Sequence, residues 1–126
     1  MSVNLVWFRR DLRLSDNPAL YEASQNGKPI VPLFILDENT ARSGAAYKWR
    51  LGLSIESLSS DFEQYNSRLI LRKGKPLNVL KELKLMLGDL SIFWNRLYDE
   101  VSVERDTEIK SYFESNESKQ ILVSHQ

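Results

Sequence analysis

Leu5-Val6-Trp7-Phe8 is an unbroken apolar run. Arg9-Arg10-Asp11-Leu12-Arg13-Leu14-Ser15-Asp16-Asn17 follows it, and then Pro18-Ala19-Leu20. The apolar run, read as a strand over Val3 to Phe8, lacks the alternation of a half-solvated strand, so it predicts one covered on both faces. The polar stretch after it is a loop. Asp16 is placed to cap a helix with Pro18 in its first turn, and Gly27 is placed to stop it.

Working outward, the same order of strand, loop and helix continues to the end of the chain. Pro29 to Leu36 is a second apolar run, containing Leu33-Phe34-Ile35-Leu36. A helix is expected from about Ala45 to Tyr65, because Leu51, Ile55, Leu58, Phe62 and Tyr65 recur on one helical face. Arg68 to Arg72 reads as a third strand. Pro76 opens a helix that sets Leu77, Leu80, Leu83 and Leu87 toward the core, and Gly88 closes it. Leu90 to Trp94 reads as a fourth strand. Ser102 is placed to cap a helix carrying Ile109, Tyr112 and Phe113, and Lys119 to Ser124 reads as a fifth strand.

Strands alternating with helices of this length imply right-handed crossovers and a parallel sheet. The expected fold is α/β: a Rossmann-like, doubly wound five-stranded parallel sheet in order 3-2-1-4-5, with helices on both faces. The whole chain, residues 1–126, reads as one domain. No internal repeat or low-complexity tract interrupts it. The chain stops just after the fifth strand, where a further element is expected to follow.

Composition bounds the function. Hydrophobic residues make up 42% and charged residues 27%, a globular balance. Lysine plus arginine and aspartate plus glutamate each number 17, so the net charge is zero. That argues against a domain whose task is to coat nucleic acid or an anionic membrane. There is no cysteine, which removes disulfides, thiol nucleophiles and zinc–cysteine sites. The single histidine, His125, is next to the end, which speaks against a Ser-His-Asp triad or a histidine metal cluster. No apolar run approaches the length that spans a bilayer, and the first strand begins without a signal-peptide pattern. The expectation is a cytoplasmic protein with no metal and no membrane partner.

In such a sheet, ligands bind beyond the carboxyl ends of the strands, where the strand order reverses. That point falls between the first and fourth strands, flanked by Arg9 to Asn17 and Asn95 to Val101. The first loop has a structural reading, with Arg9, Arg10 and Arg13 pairing with Asp11 and Asp16. Trp7 and Trp94, near the ends of the central strands, read as core. The glycine-rich dinucleotide fingerprint is missing after the first strand, and Lys73-Gly74-Lys75-Pro76 lacks the first glycine and the Ser/Thr of a phosphate loop.

The stretch Leu5 to Leu20 resembles the opening signature of the DNA photolyase and cryptochrome family. Gly74-Lys75-Pro76 through Leu87-Gly88 resembles that family's third strand–helix connection. Phe93-Trp94-Asn95-Arg96-Leu97-Tyr98-Asp99, with Arg105-Asp106 after it, resembles a further family block. The three matches occur in family order and span nearly the whole chain.

The resemblance implies the N-terminal domain of a flavoenzyme that splits pyrimidine dimers in damaged DNA by light-driven electron transfer from reduced FAD. The FAD belongs to a helical domain of the same protein, absent from this chain, so the 126-residue chain alone is expected to be inactive. Trp7, Trp49 and Trp94 are not the family's electron relay. A cryptochrome-like photoreceptor without repair activity is the alternative within the resemblance. A free-standing α/β nucleotide-binding module is the alternative outside it.

The family's N-terminal domain often holds a second, light-harvesting antenna chromophore: a deazaflavin, a flavin or a reduced folate. Val101 and Ser102 stand where folate-binding members place an Asn-Glu pair. The segment Ala45 to Arg50 matches one that lines the antenna pocket in some relatives, with Lys48 at a common arginine position. Topology and resemblance together nominate Arg9, Phe34, Leu36, Asp37, Lys48 and Asp99 as the walls of such a pocket. Phe34 and Leu36 share one face of their strand and offer an apolar wall. The four charged residues are candidates to bind ring edges or a tail. No catalytic residue is expected.

Overall fold

The computed structural model describes residues 3–9, 12, 14, 17–25, 27–38, 42–65, 67–88, 90–95, 100–115 and 119–123. Its strands are β1 (Val3–Phe8), β2 (Ile30–Leu36), β3 (Ile70–Lys73), β4 (Leu90–Asn95) and β5 (Lys119–Val123). Its helices are α1 (Pro18–Ala23), α2 (Ala45–Glu63), α3 (Pro76–Leu87) and α4 (Glu100–Ser115).

The core of the sheet is parallel, in order β3-β2-β1-β4. Trp7 lies level with Leu33 and Phe8 with Phe34, while Val3 to Val6 run beside Leu90 to Phe93. On the outer side of β4, β5 runs parallel to it, with Ser91 level with Lys119 and Asn95 level with Val123.

Two apolar layers explain why β1 is apolar at every step from Leu5 to Phe8. Side chains alternate along a strand. Leu5 and Trp7 point into one layer with Leu33, Ile35, Ile92 and Trp94, and α3 and α4 cover it through Val79, Leu80, Leu83 and Ile109. Val6 and Phe8 point the other way, toward Phe34 and Phe93, under Ala19, Ala23, Leu58 and Phe62 of α1 and α2. Trp7 and Trp94 meet edge to face with ring centroids 5.9 Å apart, so both serve as core. Asn4, buried in β1, donates from Nδ2 to the carbonyl of Ala23 at 2.8 Å and ties the end of α1 to the sheet.

Local signals explain most boundaries. Pro76 opens α3, where its missing N–H costs nothing. Gly88 closes it at φ 78°, a conformation that glycine adopts without a Cβ clash. Three expectations need correction. The cap of α1 is Asn17, whose Oδ1 accepts from the Leu20 N–H at 3.2 Å; Asp16 lies outside the described residues. The residue before a proline is driven to extended backbone, and Asn17, at φ −126° and ψ 98°, therefore takes the capping geometry. Ser102 does not cap α4, which starts at Glu100 and buries Ser102 in its first turn. Tyr65 lies beyond the last residue of α2, where the helical period no longer directs it inward, and it is exposed.

Candidate functional site

The carboxyl end of β1 is built around Arg9. Its guanidinium is nearly buried, donates from Nη1 to Asp106 Oδ1 at 2.6 Å, and donates from Nη2 to the carbonyl of Asn95. It also stacks over Trp7, with Cζ 4.7 Å from the ring centroid. Arg9 thus pairs across the sheet with α4. Its rigid fork suits this, since one arm meets a carboxylate and the other a carbonyl. Arg10, Asp11, Arg13 and Asp16 lie outside the described residues.

Asn95, the last residue of β4, extends the network. Its Oδ1 accepts from the Ala19 N–H at 2.9 Å, and its Nδ2 donates to Asn17 Oδ1 at 2.8 Å. One buried amide therefore satisfies a donor at the start of α1 and orients that helix's cap. The switch point between β1 and β4, expected as a crevice, is bridged by these side chains.

At the end of β2, Asp37 Oδ2 accepts from Arg105 Nη1 at 2.7 Å, with both side chains partly exposed. Arg105 and Asp106 are neighbours on α4, so one helix turn holds both Asp37 and Arg9. Phe34 is buried among Phe8, Leu58 and Phe62, and Leu36 is half-buried against the same layer. Lys48 is exposed in the first turn of α2. Asp99 lies outside the described residues. The structure thus gathers Arg9 and Asp37 around α4, keeps Phe34 and Leu36 on one face, and leaves Lys48 on an outer helix.

Arg105, Asp106, Asn17 and Asn95 hold this region and were not among the nominated residues. Their signal lay in the Arg105-Asp106 pair and in the two polar loops, but their partners are far away in sequence. Asp106 Oδ2, Arg105 Nε and Trp94 Nε1 are buried without a hydrogen-bond partner among the described residues. Among the described residues, no cluster of His, Cys, Asp or Glu is able to hold a metal ion, and no helix is long and apolar enough to cross a membrane.

A separate open cleft of about 1040 Å³ runs along α1 to the start of β2 and the end of α2. Leu14, Leu20, Tyr21, Ile30, Phe62 and Tyr65 form much of its wall, and none of the nominated residues lines it.

The family model described as DNA photolyase matches residues 4–126. A deoxyribodipyrimidine photo-lyase from Agrobacterium fabrum is 39% identical over 106 residues, covering 84% of this chain and 22% of the relative. Cryptochrome-2 from Arabidopsis thaliana is 36% identical over 110 residues, covering 84% of this chain and 18% of the relative. The chain thus spans about a fifth of the length of these relatives. Among solved structures, a bacterial class III photolyase from Agrobacterium tumefaciens superposes with a TM-score of 0.92 at 33% identity, covering 99% of this chain and 27% of the other. With its parallel β3-β2-β1-β4 core and a family match over nearly its whole length, the chain belongs to the DNA photolyase family.

Proposed function

We propose that this chain is the N-terminal light-harvesting domain of a deoxyribodipyrimidine photolyase. The full-length flavoenzyme repairs pyrimidine dimers in DNA with light, acting as a carbon–carbon lyase. The observation that carries this reading is the 39% identity to the Agrobacterium fabrum photo-lyase, joined to a TM-score of 0.92 with a photolyase structure. In this reading the sheet has five strands, the FAD sits in a helical domain downstream, damaged DNA is met by the full-length enzyme, and the protein is cytoplasmic. A second reading, a cryptochrome-like photoreceptor without repair activity, is supported by the 36% identity to cryptochrome-2.

An antenna chromophore, whether a deazaflavin, a flavin or a reduced folate, is held at the carboxyl ends of β1 and β2 by Arg9, Phe34, Leu36, Asp37, Lys48 and Asp99. The buried atoms of Asp106 and Arg105 that have no partner among the described residues support this position. When bound, the chromophore absorbs light and passes excitation energy to the flavin. The chain's part is to orient the ring and exclude water. Arg9, already tied to Asp106, is a preorganised cation beside the site. Opening the more exposed Asp37–Arg105 pair releases the Arg105 guanidinium for ring edges.

The 126-residue chain is titrated with each chromophore while fluorescence is followed, then retested as Asp37→Ala, Lys48→Ala and Asp99→Ala. Binding of one chromophore, weakened about tenfold or more by at least one substitution, is expected. Binding that none of the three weakens puts the pocket elsewhere. For the activity, the full-length protein repairs dimers under blue light and this chain alone does not. Full-length protein that binds FAD but repairs nothing favours the photoreceptor reading.

A further inference from the structure

Helix α2 is longer than the strands it covers. Its 19 residues rise about 28 Å, whereas the seven residues of β2 and the four of β3 extend about 23 Å and 13 Å. The excess lies at the start of the helix. Every residue from Ala45 to Leu53 except Leu51 is exposed, and burial becomes complete only at Leu58 and Phe62. This overhang supports itself poorly as a helix. Gly44 gives it no side-chain cap, its first turn has no acidic residue, and Gly52 lies in its interior.

The overhang is apolar on every side. Between Ala45 and Leu53 the only charged residues are Lys48 and Arg50. At about 100° per residue, Ala46, Trp49 and Leu53 face away from Leu58 and Phe62, while Tyr47 and Leu51 lie on their side of the helix. Trp49 is 68% exposed, Leu53 48% and Tyr47 45%. A helix that is apolar all round belongs between two layers, and here the sheet side supplies one. Leu85 and Met86 on α3 are also exposed, but the apolar face of that helix is already covered through Val79, Leu80 and Leu83, and single apolar side chains at a surface are normal.

We propose that the helical FAD-binding domain of the full-length protein docks on this overhang, with Trp49 and Leu53 at the centre of the contact. The inference rests on the photolyase reading above and names the surface at which the two domains meet. Two observations favour this occupant. The chain spans about a fifth of the length of the relatives it matches, so most of such a protein packs outside it. And α2 is the element that follows β2, so its start lies by the carboxyl end of that strand, the edge at which the chromophore is proposed. Excitation passed by dipole coupling falls steeply with distance, so the flavin domain has to lie against this end of the sheet. Contacts between domains of one chain bury about 600–1,500 Å², and tryptophan is enriched among the residues that anchor such surfaces. Lys48 and Arg50, on either flank of Trp49 and Leu53, supply a polar rim.

Thiol labelling tests this. The chain has no cysteine, so Leu53→Cys places one reactive group on the overhang, and Leu85→Cys places one on α3 as a reference. Each variant is made in the 126-residue chain and in the full-length protein, labelled with a maleimide without added chromophore, and read by mass spectrometry of the peptide that carries it. Leu53→Cys is expected to react at least about tenfold more slowly in the full-length protein, and Leu85→Cys within about twofold of its rate in the short chain. Adding Trp49→Asp is expected to return the Leu53→Cys rate to within about threefold of the short chain. The same substitution moves the melting temperature of the short chain by less than about 2 °C, because Trp49 is exposed there. Equal Leu53→Cys rates in the two proteins overturn the proposal. So does protection that Trp49→Asp leaves intact, or equal slowing at Leu85→Cys. The FAD absorbance of the full-length protein tests the photolyase reading separately. FAD bound with fast labelling overturns only the docking surface, and no FAD bound overturns the reading beneath it.

Discussion

The carboxyl ends of β1 and β2 lie side by side and are both tied to α4, yet by different kinds of bond. At β1, the Arg9 and Asp106 side chains are 7% and 8% exposed, and the guanidinium also reaches the Asn95 carbonyl and the Trp7 ring. At β2, Asp37 and Arg105 are 19% and 24% exposed and meet through one bond of 2.7 Å. Removing half of a buried ion pair strands a charge in a medium that cannot solvate it. Removing half of a partly exposed pair hands the survivor to water. The first junction is therefore structural, and the second is able to open for a ligand at modest cost.

The contrast breaks most sharply at Arg9. Arg9→Ala is expected to destabilise the fold by about 3–5 kcal/mol, because Asp106 is left buried and unpaired; urea denaturation measures it. A loss below about 1 kcal/mol would mean that Asp106 reaches water and that the two junctions are alike. Next comes Asn95→Ala, which strands the Ala19 N–H and releases Asn17. We expect a loss of about 2–3 kcal/mol in the same experiment. Asn17→Ala removes the helix cap itself and costs about 1 kcal/mol, with the difference visible as fraying of α1 in amide exchange.

The effect shrinks at β2. Asp37→Ala is expected to cost no more than about 1 kcal/mol, an amount that falls further in high salt because the pair is open to solvent. A salt-independent loss as large as that of Arg9→Ala would abolish the distinction. Smallest of all is Arg42→Ala, which breaks an exposed pair with Glu38 and should change stability by less than about 0.5 kcal/mol.

How much of this was legible beforehand differs between the fold and the site. The apolar run Leu5 to Phe8 and the period of α3 were sufficient to place strands and helices, because burial on one or both faces imposes its own spacing. The candidate site was legible only in part. Phe34 and Leu36 share a face, as alternation requires, and Arg9 and Asp37 meet the same helix. The partners of Arg9 and Asp37 lie 97 and 68 residues away, and no local pattern encodes such a distance. Near-neighbour pairing with Asp11 or Asp16 was the cheaper guess for Arg9, and the crossing to Asp106 emerges only once β4 is set beside β1.

Sequence alone therefore determined the alternation of strands and helices, the parallel sheet, the family and the absence of thiol chemistry. These rest on local spacing, composition and motif, which survive without coordinates. Tertiary structure decided that Asn17 caps α1 and that Ser102 does not cap α4, that the crevice between β1 and β4 is bridged by Arg9 and Asn95, and that Trp49 stands in solvent while Trp7 and Trp94 do not. Each of these depends on which residues distant in the chain are brought together. Whether a polar side chain is paired or a tryptophan covered is a property of its neighbours in space, and those neighbours exist only after the sheet has closed.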